Sequence, residues 1–278
     1  MPSATKQSNT SENKKPNPIS NRITSAKVTN YLKMCIFGNS GAGKTTLWSS
    51  FPGKKLLLLC SSGKGELKSL SKKQLADVDQ FVLDDPTEDL GIVLEAVRSG
   101  QYEYVILDHI SEFCFLTMKH ILNLAETPTS LGWGDARIQD YGTMKTQVSK
   151  FVGDILNEDI NFLIIGQERL FTSDDDEFEI PDIVNVDATP GVVRFLNPAV
   201  DYTIHLSKKP KMDVVKKKLK DGKTIEKEVE SKKMQYFARI GPNKVYYTKF
   251  RKPIGVDLPE EMNDPTGPKI LELIKSLY

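Results

Sequence analysis

The chain has 278 residues, a hydrophobic content of 39% and a formal net charge of +1. This length and composition predict one large globular domain or at most two. The balanced charge excludes a polycation, so nucleic acid could be attracted only by local clusters of charge. No apolar run is long enough to span a bilayer and no apolar signal core begins the chain, so no membrane role is predicted. Three widely spaced cysteines, Cys35, Cys60 and Cys114, are typical of reduced thiols in a cytoplasmic protein.

Residues 1–30 are rich in Ser, Asn, Thr, Pro and Lys and have no periodic apolar pattern. Such a segment cannot bury enough apolar surface to offset the entropy lost on ordering, so a disordered, mildly basic tail is predicted. A single domain is predicted over residues 31–278.

From Tyr31 onward, short apolar runs alternate with segments of helical periodicity, which is typical of an α/β fold with a mostly parallel twisted sheet flanked by helices. The predicted strands are Leu32–Phe37, Lys55–Cys60, Val78–Leu83, Tyr104–Leu107, Phe162–Ile165 and Tyr202–Leu206. The predicted helices begin at Lys44, Thr87, Ser111 and about Gln139, and a last helix covers Pro268–Tyr278.

The pattern changes after Leu206 into Lys-rich alternation around Asp221-Gly222, a pair that favours a two-residue hairpin turn. A basic β-hairpin insertion is therefore predicted over residues 207–235. Two further antiparallel strands, Met234–Ile240 and Val245–Phe250, are predicted on either side of a Gly-Pro-Asn turn.

Residues 38–45 read Gly-Asn-Ser-Gly-Ala-Gly-Lys-Thr, the complete Walker A pattern of a P-loop, directly after a predicted strand. Glycines allow the backbone to wrap an anion, Lys44 would reach the β and γ phosphates, and the Thr45 hydroxyl would ligate Mg²⁺. The preceding strand disfavours the alternative, an ordinary Gly-rich turn. ATP and Mg²⁺ are the predicted cofactors, and the predicted ATP-binding residues are Gly38, Asn39, Ser40, Gly41, Ala42, Gly43, Lys44, Thr45 and Thr46.

Two polar residues end later strands of the predicted sheet. Asp108 follows Tyr104–Leu107 and is the predicted second Mg²⁺ ligand, although an Asp in this position is otherwise usually a helix cap. Gln167 follows Phe162–Ile165 and could sense the γ phosphate or orient the attacking water, because its amide both donates and accepts hydrogen bonds; a solvated loop residue is the alternative. Lys44, Asp108 and Gln167 are thus predicted catalytic residues.

The base that activates the attacking water has two candidates in the sequence. Glu66 lies just past the second predicted strand, and Glu112 lies one helical turn after Asp108. Either could be an exposed helix residue. Glu66 is slightly favoured as the fourth catalytic residue.

The order of these elements resembles the RecA-like ATPase core, and in particular phage-encoded RecA-like nucleotide-binding proteins that include Sak-type single-strand annealing recombinases. The resemblance spans about Tyr31 to Gly255 and rests on Gly38–Thr45, Val105–Asp108 and Ile165–Arg169. It implies an ATPase that assembles on single-stranded DNA as a homo-oligomer, a ring or a filament, in phage recombination, annealing or replication. It further implies the host cytoplasm as location and a single-strand binding protein as a possible partner.

Two further stretches take part in the resemblance. Thr189–Tyr202 is similar to the stretch that leaves the second DNA-binding loop and re-enters the sheet. Lys249 and Arg251 resemble a late basic pair that reaches the ATP of an adjacent subunit. Relatives commonly carry an acid at the end of the second strand, whereas Leu59–Ser62 has none, which leaves Glu66 as the nearest acid.

The DNA-contacting residues are predicted from charge. The stretch Lys208–Lys220 is the best electrostatic footprint, although a solvated edge strand whose lysines prevent aggregation explains it equally well. The predicted contacts are Lys208, Lys209, Lys216, Lys217 and Lys218. The alternative functions are a P-loop NTPase that regulates a protein partner and a small-molecule kinase, the latter disfavoured because arginines are scarce.

Overall fold

The computed structural model describes residues 31–60, 66–124, 136–172, 182–218 and 224–278, apart from the side chains of Glu66 and residues 214–228. The predicted tail and the Asp221-Gly222 turn lie outside these residues. The described chain forms a nine-stranded mixed sheet, a separate pair of strands, and helices that pack on the sheet through two apolar clusters.

Six neighbouring strands of the sheet are parallel to one another. They are β1 (Lys33–Gly38), β2 (Lys55–Leu59), β3 (Val78–Val82), β4 (Tyr104–Asp108), β5 (Asn161–Gly166) and β8 (Tyr202–Lys218). They lie in the order β8-β1-β5-β4-β2-β3. The sequence predicts the first five to within one residue at each end. Short apolar runs bounded by polar residues form the buried strands β1, β2, β4 and β5, whereas β3 is an edge strand with exposed and half-buried residues. The strand β8 is longer than predicted and continues into the basic stretch.

Seven α-helices occur in the described ranges. They are α1 (Lys44–Ser49), α2 (Lys72–Leu75), α3 (Glu88–Arg98), α4 (Ile110–Ile121), α5 (Ile138–Leu156), α6 (Pro190–Ala199) and α7 (Gly267–Lys275). Every predicted helix start is correct to within one residue. The prediction omits α2 and α6, although Thr189-Pro190 is a helix-start signal with Pro at the first helical position.

The side chains of β1 alternate between the two apolar clusters of the molecule. Cys35 and Phe37 point into a cluster with buried residues of α3 to α6, whereas Met34 and Ile36 point into a cluster that includes buried residues of α1 and α7. The sheet is therefore covered on both faces, as expected of a parallel sheet. This arrangement leaves the carboxyl ends of its strands as the edge where functional side chains converge.

The remaining strands are antiparallel. They are β6 (Glu168–Phe171), β7 (Ile183–Val186), β9 (Thr224–Arg239), β10 (Lys249–Phe250) and β11 (Glu261–Asn263). The strand β9 pairs with β8 over nearly its whole length, so the predicted basic hairpin is an extension of the main sheet. The strands β6 and β7 pair with each other and were not predicted.

The predicted antiparallel pairing of Met234–Ile240 with Val245–Phe250 is wrong. Only Lys249–Phe250 is a strand in the second segment, and it pairs with β8. The edge of β9 is occupied by β11 instead, and the backbone amides of Ile240 and Gly241 both donate to the Glu260 carbonyl. Because β11 and Glu260 already occupy the hydrogen-bonding edge of β9, the chain after Gly241 cannot pair there and forms its hydrogen bonds with other strands.

Candidate functional site

The loop between β1 and α1 has the backbone that the Walker A pattern predicts. Gly41 has φ 73° and Gly43 has φ 95°, both in the left-handed region that glycine adopts without strain. Gly43 is the N-cap of α1, so Lys44 begins the helix. The glycines are therefore required by the turn itself, which curls the backbone at the carboxyl end of β1.

The ammonium of Lys44 is held against this loop by three acceptors. Its Nζ donates to the carbonyls of Gly38 at 2.6 Å and Asn39 at 2.9 Å, and to Gln167 Oε1 at 3.0 Å. Lys44 is buried, and burial lowers the pKa of its ammonium, an effect that the carboxylates of Asp108 and Glu168 oppose. A buried cation is thus positioned where the loop would bind an anion.

Asp108 ends β4 as a buried carboxylate. Its Oδ2 accepts a hydrogen bond from Trp48 Nε1 at 3.1 Å, and Trp48 lies on α1, the helix that follows the P-loop. The N-cap of α4 is His109, whose Nδ1 accepts from the Glu112 amide at 3.3 Å, so Asp108 is not the helix cap. Burial raises the pKa of Asp108, and His109, the hydrogen bond from Trp48 and the charge of Lys44 oppose this rise, while the nearby Glu112 carboxylate adds a smaller contribution to it.

The position of β5 explains why Gln167 reaches the P-loop. This strand lies between β1 and β4, with Gly166 paired to Phe37 and Ile165 paired to Asp108. Gln167, the next residue, emerges between the P-loop and the Asp108 carboxylate. The structure therefore brings together Lys44, Asp108 and Gln167, three of the four residues that the sequence analysis predicts to be catalytic.

A second contact to the P-loop was not predicted. Glu168, the residue after Gln167, accepts a short hydrogen bond from Asn39 Nδ2 through Oε1, and its Oε2 lies 2.7 Å from His205 Nε2. His205 is buried on β8, where burial lowers the pKa of its imidazole although Glu168 opposes this, and its ring stacks on Tyr246 at 4.0 Å. No local sequence signal joins these residues, because their proximity depends on the register of β8 against β1.

The side chains near the P-loop fit a nucleotide-bound Mg²⁺. The described residues contain no group of three or more His, Cys, Asp or Glu side chains that could hold a metal alone. This is expected when Mg²⁺ takes one or two protein ligands and completes its shell with phosphate oxygens and water. Thr45, at the start of α1, and Asp108 would supply the protein ligands, and the ion would neutralise developing phosphate charge.

The two candidate bases are described unequally. Glu66 begins a 3₁₀ turn, Glu66–Ser69, and its side chain is outside the described residues. Glu112 lies in the first turn of α4, with Oε1 3.8 Å from His109 Nε2 and with Oε2 buried without a hydrogen-bond partner in the described chain. An unsatisfied buried carboxylate oxygen close to Asp108 is the feature expected of a group that binds water or substrate.

Lys249 and Arg251 lie near the amino ends of the parallel strands, whereas their own P-loop lies at the carboxyl ends. Phe250, between them, pairs with Tyr202 at the start of β8, whereas Gly38 pairs with Leu206, four residues or about 13 Å further along that strand. Lys249 Nζ donates to three carbonyls at the end of α6, those of Asn197, Pro198 and Val200. Arg251 forms an ion pair with Asp201 at 3.1 Å and keeps 56% of its side-chain surface exposed.

The predicted DNA-contacting lysines all lie on β8. Lys216, Lys217 and Lys218 are near its end, where only the backbone is described. Lys209 Nζ lies over the Phe237 ring at 5.0 Å. Lys208 is nearer the root of the hairpin, and its amine extends to the P-loop at Gly41.

These groups together form a site that can hold a triphosphate and its metal ion at the carboxyl ends of β1, β4 and β5. None of the helices in the described ranges is both long and apolar enough to cross a bilayer. No curated protein is a significant match to the chain. A family model described as an AAA domain matches residues 30–251, well over half of the chain.

Proposed function

Because the chain belongs to the AAA domain family and is a nucleotide-binding P-loop ATPase, we propose that it hydrolyses ATP with Mg²⁺ while acting on single-stranded DNA. The proposed setting is phage recombination, annealing or replication in the host cytoplasm. The proposed assembly is a homo-oligomer, either a ring or a filament. A single-strand binding protein is a further partner that the resemblance to RecA-like recombinases favours.

The contact between Gln167 and Lys44 carries this proposal. Gln167 Oε1 accepts from Lys44 Nζ at 3.0 Å, and Glu168, which begins β6, bonds to Asn39 of the P-loop. Two consecutive residues thus connect the P-loop to the segment that contains β6 and β7. A γ phosphate that draws Lys44 away from Gln167 would break the hydrogen bond between these two side chains. The nucleotide state would then act on the segment that contains β6 and β7, which corresponds to a DNA-binding loop of the RecA-like proteins that the chain resembles.

Local charge supports the polyanion partner. Residues 207–235 hold eleven lysines and five acidic residues, although the whole chain has a net charge of only +1. Backbone register places Lys216 opposite Glu226, so part of this charge is balanced across the hairpin. The excess remains positive, and such a cluster binds phosphate backbones in a salt-dependent way.

Filter binding of labelled single-stranded DNA at low salt, with and without ATP, tests the proposal. The wild type should bind DNA more tightly with ATP, and Gln167→Ala should keep basal binding but lose the ATP dependence. Gln101→Ala is the matched control, because Gln101 is exposed and precedes β4, at the opposite end of this strand from the P-loop. Absence of DNA binding by the wild type at low salt would refute the DNA-acting function.

A further inference from the structure

The root of the β8–β9 hairpin lies directly against the P-loop. A Cβ atom added to Gly41 would lie 2.9 Å from Lys208 Nζ, and one added to Gly43 would lie 3.2 Å from the Tyr236 ring. Lys208 and Tyr236 are cross-strand partners on β8 and β9. The two side chains therefore approach adjacent turns of the loop from one pair of strands.

The strand register explains this approach. Gly38, the last residue of β1, pairs with Leu206, so β8 continues past the end of its neighbour to the level of the P-loop. Side chains alternate along a strand, so Lys208 shares the face of Leu206, whose apolar cluster includes Ala42 and Leu47 from the P-loop and α1. Lys209 points to the other face and lies over the Phe237 ring.

Within the described residues, the Lys208 ammonium has no partner of opposite charge. It forms no ion pair or hydrogen bond with any residue in the part of the chain that the structure describes, and its side chain is exposed. A second ammonium, that of Lys44, is bound to the same loop through the carbonyls of Gly38 and Asn39. Both ammonium groups thus lie against the P-loop, and a phosphate group bound by this loop is an acceptor for charge-assisted hydrogen bonds from each of them.

We propose that Lys208 is a phosphate-binding residue for the nucleotide on its own chain's P-loop, with Tyr236 packing beside it against Gly43. The inference deepens the proposed function, because it rests on nucleotide binding by the P-loop, but it needs no DNA. It gives Lys208 a role distinct from that of the other hairpin lysines. It also makes the hairpin root part of the nucleotide site.

Equilibrium binding of Mg²⁺–ATP, measured by calorimetry without DNA, tests this assignment. Lys208→Ala should weaken ATP binding by about tenfold or more, the loss expected for one hydrogen bond between charged groups. Lys208→Arg, which keeps the charge, should retain more affinity than Lys208→Ala. Lys233→Ala is the matched control, since Lys233 is an exposed lysine of the same hairpin, three residues before Tyr236 on β9, and it should bind ATP like the wild type.

Equal ATP affinity of the wild type and both Lys208 variants would overturn the proposal, including the case in which Lys208→Ala weakens only DNA binding. An equal loss in Lys233→Ala would also overturn it, because the effect would then be one of general charge. If the wild type itself bound no ATP, the nucleotide-binding function would fail rather than the assignment of Lys208 alone. Circular dichroism spectra of the variants establish that each remains folded.

Discussion

Trp48 Nε1 donates a hydrogen bond to Asp108 Oδ2 across 3.1 Å, and both residues are buried. This bond joins α1, which begins with the P-loop Lys44 and Thr45, to the end of β4. It therefore fixes the two proposed Mg²⁺ ligands, Thr45 and Asp108, relative to each other. A positioned carboxylate of this kind needs its supporting hydrogen bond to hold its geometry.

We expect Trp48→Phe to raise the Mg²⁺ concentration needed for half-maximal ATP hydrolysis several-fold, because Asp108 loses its donor while the aromatic packing is largely kept. The lost hydrogen bond should also lower the free energy of unfolding by about 1 kcal/mol. Mg²⁺ titration of the ATPase rate measures the first effect. Phe51→Leu is the control, since it removes a buried aromatic ring that packs on Tyr104, at the other end of β4 from Asp108, and it should destabilise without changing the Mg²⁺ requirement. An unaltered Mg²⁺ requirement in Trp48→Phe would contradict the positioning role.

The choice between Glu112 and Glu66 as base is open to a direct comparison. Glu112 has a buried, unpartnered Oε2 and lies near Asp108, so we expect Glu112→Gln to reduce ATP hydrolysis by about a hundredfold or more while ATP binding persists. Glu66→Gln should then have a smaller effect. Single-turnover hydrolysis of ATP by the two variants makes the comparison. A severe loss in Glu66→Gln with a mild one in Glu112→Gln would assign the base to Glu66.

The subunit-bridging role of Lys249 and Arg251 also has a specific test. Both lie near the amino ends of the parallel strands, whereas their own P-loop lies at the carboxyl ends. Any contact with ATP must therefore be made with the ATP of a neighbouring subunit. Arg251→Ala and Lys44→Ala should each be inactive alone, and a mixture of the two should regain part of the ATPase rate. Arg98→Ala mixed with Lys44→Ala serves as the control. If the Arg251→Ala mixture has no activity, shared active sites are excluded.

Lys33 provides a prediction for stability against pH. Its Nζ donates to the carbonyls of Glu158 at 2.8 Å and Ile160 at 2.7 Å, and burial lowers its pKa from 10.5 to about 8, although nearby carboxylates oppose the shift. Between these two values the unfolded chain keeps a proton that the folded chain has lost. The contribution of Lys33 to stability therefore rises with pH over this window, by roughly 1 kcal/mol per pH unit.

Urea unfolding at pH 7, 8, 9 and 10 measures this effect as the difference between the wild type and Lys33→Met. The difference should shift in favour of the wild type from about pH 8 upward. Burial raises the pKa values of Cys35 and Cys114 to about 12, so these thiols reduce stability as pH rises above 9. Because both proteins contain these cysteines, the difference between them removes this opposing contribution. Exposed Lys73→Met should show no such trend. A difference that does not vary with pH would mean that Lys33 keeps its ordinary pKa.

The sequence predicts the parts of this site that depend on one chain segment at a time. The P-loop follows from glycine conformation, and Asp108 and Gln167 follow from their place at the ends of apolar strands. The Trp48–Asp108 bond and the approach of Lys208 to Gly41 depend on register between distant segments, which no local pattern encodes. The same limit explains the wrong partner for Val245–Phe250, since β11 is three residues long and gives no strand signal.

ATP hydrolysis by the wild type and Lys44→Ala, with and without single-stranded DNA, tests the central claim most directly, together with particle size in a non-hydrolysable ATP analogue. A DNA-stimulated ATPase of this fold should hydrolyse ATP faster with DNA, lose turnover in folded Lys44→Ala, and form particles larger than one chain. Hydrolysis by Lys44→Ala at the wild-type rate would contradict the site. A wild-type rate that no single-stranded DNA changes would contradict the proposed function.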